Sequence, residues 1–185
     1  MNRINSFLTR KIARFGKRQD GSATIEFVIL FPIFMVMFLS SVESGIMMLR
    51  HAMLERGTDM AVRSLRLNTG SPPTFAELKS AICNYAGLIK NCNQAVQIEL
   101  VPVDTKNWTL AMDGNIKCRD RSSNINPATE TTYKPGASNE LMIVRVCAIV
   151  DPIFPGTGLG SILPLKPDGG YALVSMSAFV NEPRT

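Results

Sequence analysis

Thirteen consecutive residues, Phe27 to Leu39 (FVILFPIFMVMFL), carry no charge and a single proline. A helix apolar on every side has no solvated face, so it must be buried in a large core or lie in lipid. After Ser40-Ser41-Val42-Glu43-Ser44-Gly45 the apolar run resumes through Ile46, Met47, Met48 and Leu49. At ~1.5 Å per residue, a helix from Phe27 to Leu49 spans about 34 Å, enough to cross a hydrocarbon core of ~30 Å. Glu26 and Glu43 then fall near its two ends, where a carboxylate reaches the headgroups. At the bilayer centre such a group would cost about 2.5–3.5 kcal/mol. Pro32, a poor residue inside a soluble helix, is tolerated in a membrane helix.

The charge distribution orients the segment. Residues 1 to 21 hold six bases, Arg3, Arg10, Lys11, Arg14, Lys17 and Arg18, and one acid, Asp20. They account for the chain's whole net charge of +5, and the other 164 residues balance at 14 bases against 14 acids. A basic excess confined beside an apolar run argues for membrane topology and against a nucleic-acid surface. By the positive-inside rule the leader is cytoplasmic and the C-terminal bulk lies across a bacterial inner membrane, in the periplasm. Arg50, Arg56, Arg63 and Arg66 reduce this asymmetry without reversing it. A cleaved secretory signal, cut at the small residues Val42 and Ser44, and an uncleaved signal anchor are two readings of this segment.

A third reading comes from the junction Gly21-Ser22-Ala23-Thr24-Ile25-Glu26-Phe27, a glycine after a basic leader with a lone acid and an aromatic at the head of the apolar helix. It is similar to the class III (type IV-like) prepilin signal. More closely, GSATIEFVILFPIFMVMFLSSVESGIMMLRHAMLERGTDMAVRSLR resembles the opening of the TadE/TadG-like pseudopilins of the tight-adherence (Flp pilus) system. The likeness covers about the first 67 residues and resumes weakly in the tail, in a strand ending Asn181-Glu182-Pro183; the modest length favours TadE. The resemblance implies cleavage after Gly21 by a prepilin peptidase, with Ser22 as the new N-terminus. It implies that Glu26, with Phe27 beside it, pairs with an N-terminal amine to set register between subunits. It also implies partners: other pseudopilins and the pilus secretion platform. The physics agrees, since glycine lets an extended backbone enter a protease site and an acid facing apolar groups needs a partner. As an alternative, Glu26 is an interfacial acid favoured by the helix dipole.

Beyond the membrane the helix continues. Ile46, Leu49, Met53, Gly57, Met60, Ala61, Ser64 and Leu65 recur at steps of three and four, predicting one apolar or small face, with Met53 and Met60 packed on the protein's own sheet. Arg50, Arg56, Asp59, Arg63 and Arg66 lie mostly off that face, and Asn68-Thr69-Gly70-Ser71-Pro72-Pro73 ends the helix. The chain therefore divides into a leader (1–21), a transmembrane helix (22–49), a helical stalk (50–70) and an extracytoplasmic α+β domain (71–185).

In that domain a helix is predicted over Thr74–Leu88, with Thr74 and Glu77 as a capping box. Strands are predicted at Val96–Val103, Trp108–Met112, Glu140–Val150 and Tyr171–Val180, with the apolar ELMIVRVCAIV central and Lys117–Ser138 a loop. The expected fold is α+β: one long N-terminal helix packed on a small antiparallel sheet, pilin-like by the resemblance. Cys83, Cys92, Cys118 and Cys147 all lie on the disulfide-permissive side. Of the three possible pairings, Cys83–Cys92 and Cys118–Cys147 are favoured, the first pinning a short loop after the helix and the second tying the polar loop to the central strand. Zinc is disfavoured by the lack of a CxxC pair and by a single histidine.

His51 has no nucleophile in a recognisable setting, no phosphate-cradling loop is present, and no catalytic residue, cofactor, metal or small-molecule substrate is expected. Gly156, Gly158 and Gly160 sit among Pro152, Pro155, Pro164 and Pro167 and read as a turn-rich loop. Its apolar members Ile153, Phe154, Leu159, Ile162, Leu163 and Leu165 are read as cover for the core, with an exposed partner patch as the alternative. The functional expectation is a TadE-like minor pseudopilin that is not an enzyme. The alternative is a signal-anchored periplasmic binding or envelope-associated domain unrelated to pili.

Overall fold

One unbroken helix, α1 (Ser22–Leu67), runs for 46 residues and about 69 Å through the protein. The computed structural model describes residues 22–67, 70–107, 109–110, 118–121, 133–167 and 169–183. The leader expected at 1–21, most of the strand expected at Trp108–Met112 and most of the loop expected at Lys117–Ser138 lie outside the described residues. Pro32 sits inside α1 and removes the hydrogen bond that its position would donate to the Val28 carbonyl. At the C-terminal end, Arg66 faces the negative pole of the helix dipole.

The chain then turns through two prolines into α2 (Phe75–Tyr85). Its N-terminus is the expected capping box: the Glu77 N–H donates to Thr74 Oγ1 (3.3 Å) and the Thr74 N–H donates to Glu77 Oε2 (2.8 Å). These bonds hold the Glu77 carboxyl below its ordinary pKa, chiefly the one to the Thr74 backbone. The helix ends three residues before the expected Leu88, where the Ala86 N–H closes back on the Ile82 carbonyl and the chain turns. A short α3 (Cys92–Ala95) leads into β1 (Val96–Asp104), followed by the two-residue β2 (Thr109–Leu110), β3 (Leu141–Val150), α4 (Gly158–Ile162) and β4 (Tyr171–Val180). The sheet order is β2-β1-β3-β4, every pair antiparallel, so the most apolar strand is central as expected.

Alternation along β1 and β3 makes two faces. Ile98 opposite Val146 and Leu100 opposite Val144 point into the core shared with α1 and α2. On the other face Glu99 lies opposite Arg145, and the two form a buried ion pair across the strands. Such a pair costs desolvation, so it specifies register more than it adds stability. Cys147 on that face is bonded to Cys118, and Cys83 in the last turn of α2 is bonded to Cys92 at the start of α3. Each bridge removes chain entropy from the unfolded state, about 2–4 kcal/mol by the usual range.

The buried face of α1 is rotated from the one the apolar spacing suggests. Leu54, Gly57, Thr58, Ala61, Val62 and Leu65 are buried, whereas Leu49, Met60 and Ser64 are exposed. Met60 therefore does not pack on the sheet, and Arg50, expected off the face, is on it. Gly57 marks the cause. A Cβ there would stand 2.7 Å from the Ile82 carbonyl oxygen, so α2 crosses α1 at this point and fixes which side faces inward. Thr58 returns its hydroxyl to the Leu54 carbonyl (2.9 Å), which lets a polar residue lie in the core.

Candidate membrane-anchoring and assembly site

The first seventeen residues of the shaft, Ala23 to Leu39, contain none that is buried by the protein. Phe27 stacks on Phe31 (ring centroids 5.0 Å apart) and Phe34 on Phe38 (6.3 Å), each pair one turn apart on the helix surface. This is the one helix among the described residues long and apolar enough to cross a membrane.

Above it, three polar residues of α1 take hold of the loop between β3 and β4. Glu43 is only 1 % exposed. Its carboxylate accepts the Phe154 N–H (2.9 Å) and the Ile153 N–H (2.9 and 3.1 Å to the two oxygens). One turn below, Ser40 Oγ accepts the Leu159 N–H (3.2 Å) while donating to the Val36 carbonyl (2.7 Å). Two turns above, Arg50 donates from Nη1 to the Asp151 carbonyl (2.8 Å) and the Tyr171 hydroxyl (3.3 Å). Asp151 turns its carboxylate outward to a bidentate pair with Arg121 (2.6 and 2.9 Å). Gly158, in the left-handed region at φ +50°, leaves the space that Ser40 Oγ occupies, and a Cβ there would overlap it.

Charge placement from the sequence missed this latch. Glu43 was expected at the headgroups, and instead it is enclosed by protein. The available signal was the spacing of Ser40, Glu43, Met47 and Arg50, which steps by three and four along one face. The loop itself divides: Leu163 packs against the core and Phe154 and Leu159 are half-buried, but Ile153, Ile162 and Leu165 are exposed. The expectation that all six cover the core is corrected for those three, because the latch holds the loop by its backbone and leaves these side chains outward.

Of the residues expected to act in processing and register, Gly21 lies outside the described residues, and Ser22 is the first residue of α1. Glu26 and Phe27 are exposed on the shaft, about 26 Å below Glu43 at the helical rise, so Glu26 and the latch are separate sites. His51 is half-exposed, with Nε2 3.3 Å from Glu55 Oε1. Among the described residues no three His, Cys, Asp or Glu side chains gather as metal ligands would. Burial shifts two titrating groups in the domain. Burial, helped by the nearby charge of Arg119, pulls Lys79 down to about 8, its ammonium 5.8 Å from the Phe75 ring centre. Burial, with Glu77 adding to it, pushes Tyr133 up to about 12, and its hydroxyl donates to the Pro73 carbonyl.

The fold and the shaft together define an α+β unit mounted on one helix that can cross a membrane. Residues 21–63, the first 42 described residues of α1 together with Gly21, match the family model of TadE-like proteins, so this part of the chain is similar to that family. No curated protein and no solved structure matches the chain.

Proposed function

We propose that this chain is a TadE-like minor pseudopilin that takes part in assembling Flp-type, tight-adherence pili. Its α1 anchors it in the bacterial inner membrane as a single pass, with the basic leader cytoplasmic and the disulfide-bonded domain periplasmic. A prepilin peptidase cuts after Gly21, and Ser22 becomes the N-terminus. Glu26 and Phe27 then set register against neighbouring pseudopilins and the secretion platform. The role is structural, with no catalysis, cofactor or small-molecule substrate. One observation carries the reading: the TadE-like match falls on the helix whose lower half the protein leaves uncovered.

The test is the intact mass and N-terminal peptide of the membrane-extracted protein, with and without a prepilin peptidase. A chain beginning at Ser22 only when the peptidase is present supports the proposal, and Glu26→Ala should then abolish pilus assembly without lowering protein level. A chain that keeps Met1 under both conditions favours a signal-anchored envelope domain. One that begins at Gly45 removes the membrane shaft altogether.

A further inference from the structure

We propose that the loop between β3 and β4 is a second membrane-contacting element, with α4 set into the outer edge of the hydrocarbon core on the domain's side and Ile162 in contact with lipid acyl chains. The inference rests on the reading that α1 spans a bilayer, and it follows from where the loop grips the shaft.

The length of the shaft decides the depth. A hydrocarbon core of ~30 Å corresponds to about twenty residues of helix. Counted from Ala23, just past the charged leader, those twenty residues end at Val42. Counted from Phe27, with Glu26 at the cytoplasmic edge, they end at Ile46. The loop nevertheless reaches below both points, since Leu159 bonds to Ser40 and Gly158 packs on Ser40 and the Val36 carbonyl. Taking the shallower count, these contacts lie about 3 to 9 Å inside the hydrocarbon. Tilting the helix would use more residues to cross and carry them deeper. The domain cannot ride above the bilayer while this loop stays where the structure puts it.

The loop's chemistry suits that depth. From Pro152 to Leu165, between Asp151 and Lys166, fourteen residues carry no charge. Non-helical backbone at membrane depth needs its polar groups satisfied. Three of the fourteen are prolines without an N–H, and the N–H groups of Ile153, Phe154, Thr157, Leu159 and Leu163 all have acceptors. The Ser161 hydroxyl returns to the Gly158 carbonyl (2.8 Å). Glu43, the one ionisable group at this level of the shaft, is shielded by the loop it binds. What the loop leaves outward is uncharged, the small Thr157 and Ser161 beside the apolar Ile153, Ile162 and Leu165, and Ile162 is 78 % exposed.

The experiment places single tryptophans in the full chain, in a Trp108→Phe background, and reconstitutes it in phosphatidylethanolamine/phosphatidylglycerol vesicles with or without acyl-chain-brominated lipid. Phe34→Trp reports the shaft near the bilayer midplane. Met176→Trp reports an exposed apolar position on β4, well up in the domain. The expected result is blue-shifted emission from Ile162→Trp that brominated lipid quenches, most strongly when the bromines sit near the headgroup end of the chain, while Met176→Trp is unaffected. Quenching of Phe34→Trp without quenching of Ile162→Trp overturns the proposal and leaves the membrane-spanning reading intact. A blue shift at Ile162→Trp that bromine does not touch also overturns it, because the residue is then covered by protein. If Phe34→Trp is itself unquenched, the spanning reading fails and this proposal falls with it.

Discussion

Glu43→Ala removes the acceptor for two backbone N–H groups at once, those of Ile153 and Phe154. Hydrogen bonds to an ionised group contribute about 1.5–3 kcal/mol each, so the pair is worth roughly 3 to 6 kcal/mol if the loop stays in place. The loop need not stay. It retains the Ser40 and Arg50 contacts on either side, and it can peel away so that both N–H groups find water. Local release caps the loss near the lower figure, about 3 kcal/mol, which at ~1.4 kcal/mol per factor of ten is on the order of a hundredfold in the opening equilibrium. Amide hydrogen exchange on the full chain in detergent micelles reads this directly. The peptide containing Ile153 and Phe154 should exchange about a hundred times faster in the variant, while β3, which opens only with the sheet, should not change. Glu43→Gln keeps one acceptor oxygen and loses the charge, and its exchange should fall between the two. If the loop of Glu43→Ala exchanges at the wild-type rate, the carboxylate does not hold it, and the depth argument loses its support.

Two further substitutions test the packing. Burial holds Lys79 near 8 against an ordinary value of 10.5, so between those values the unfolded chain binds more protons than the folded one. Stability should therefore rise with pH across that window and be lost again as pH falls through about 8, a penalty at neutral pH of order 3 kcal/mol. Lys79→Met should stabilise the protein at pH 7 by about 1–3 kcal/mol and flatten that rise; denaturant melts at neutral and alkaline pH would show whether the slope persists. Gly57→Ala gains about 1 kcal/mol of helix propensity but drives a methyl group against the Ile82 backbone, an overpacking cost of about 1–3 kcal/mol. A net loss of stability is expected, and a more stable variant in thermal melts would mean that α1 and α2 do not cross so closely.

The elements whose local sequence agrees with their surroundings were legible beforehand. Thr74 and Glu77 announce a helix start by themselves, and Tyr171–Val180 is bounded by glycines before it and a proline after it. The long helix could be read because an apolar run and an amphipathic run share one continuous pattern with no stop before Asn68. The latch was hidden for a reason of principle. Periodicity scores apolar residues, and the latch is built from Ser40, Glu43 and Arg50, which a pattern search assigns to solvent. Apart from the Tyr171 hydroxyl, their partners are main-chain groups of Asp151, Ile153, Phe154 and Leu159, about a hundred residues away and carrying no side-chain signature. The rotated face of α1 has the same origin, since a carbonyl of α2 decides it at Gly57.

The latch also bears on how the shaft could serve assembly. Because α1 is one helix, the orientation of Glu26 is tied to that of the domain. Seventeen residues at about 100° each put Glu43 roughly 100° around the axis from Glu26. The side of the helix that carries Glu26 therefore runs beside the loop and meets its edge at Ser40, which lies about 40° from Glu26's direction and accepts the Leu159 N–H. Leu30, Met37 and Met48 lie within about 40° of Glu26's direction by the same count, and all three are exposed. A neighbouring helix that docks at Glu26 would find an exposed apolar stripe from Leu30 to Met37, bordered above by a domain that the latch prevents from swinging across it. Releasing the loop would remove that restraint. On this reasoning Glu43→Ala should weaken assembly even though Glu43 lies on a different face from Glu26, and the Glu26→Ala and Glu43→Ala losses should be separable: the first in pairing, the second in how the paired domains are held.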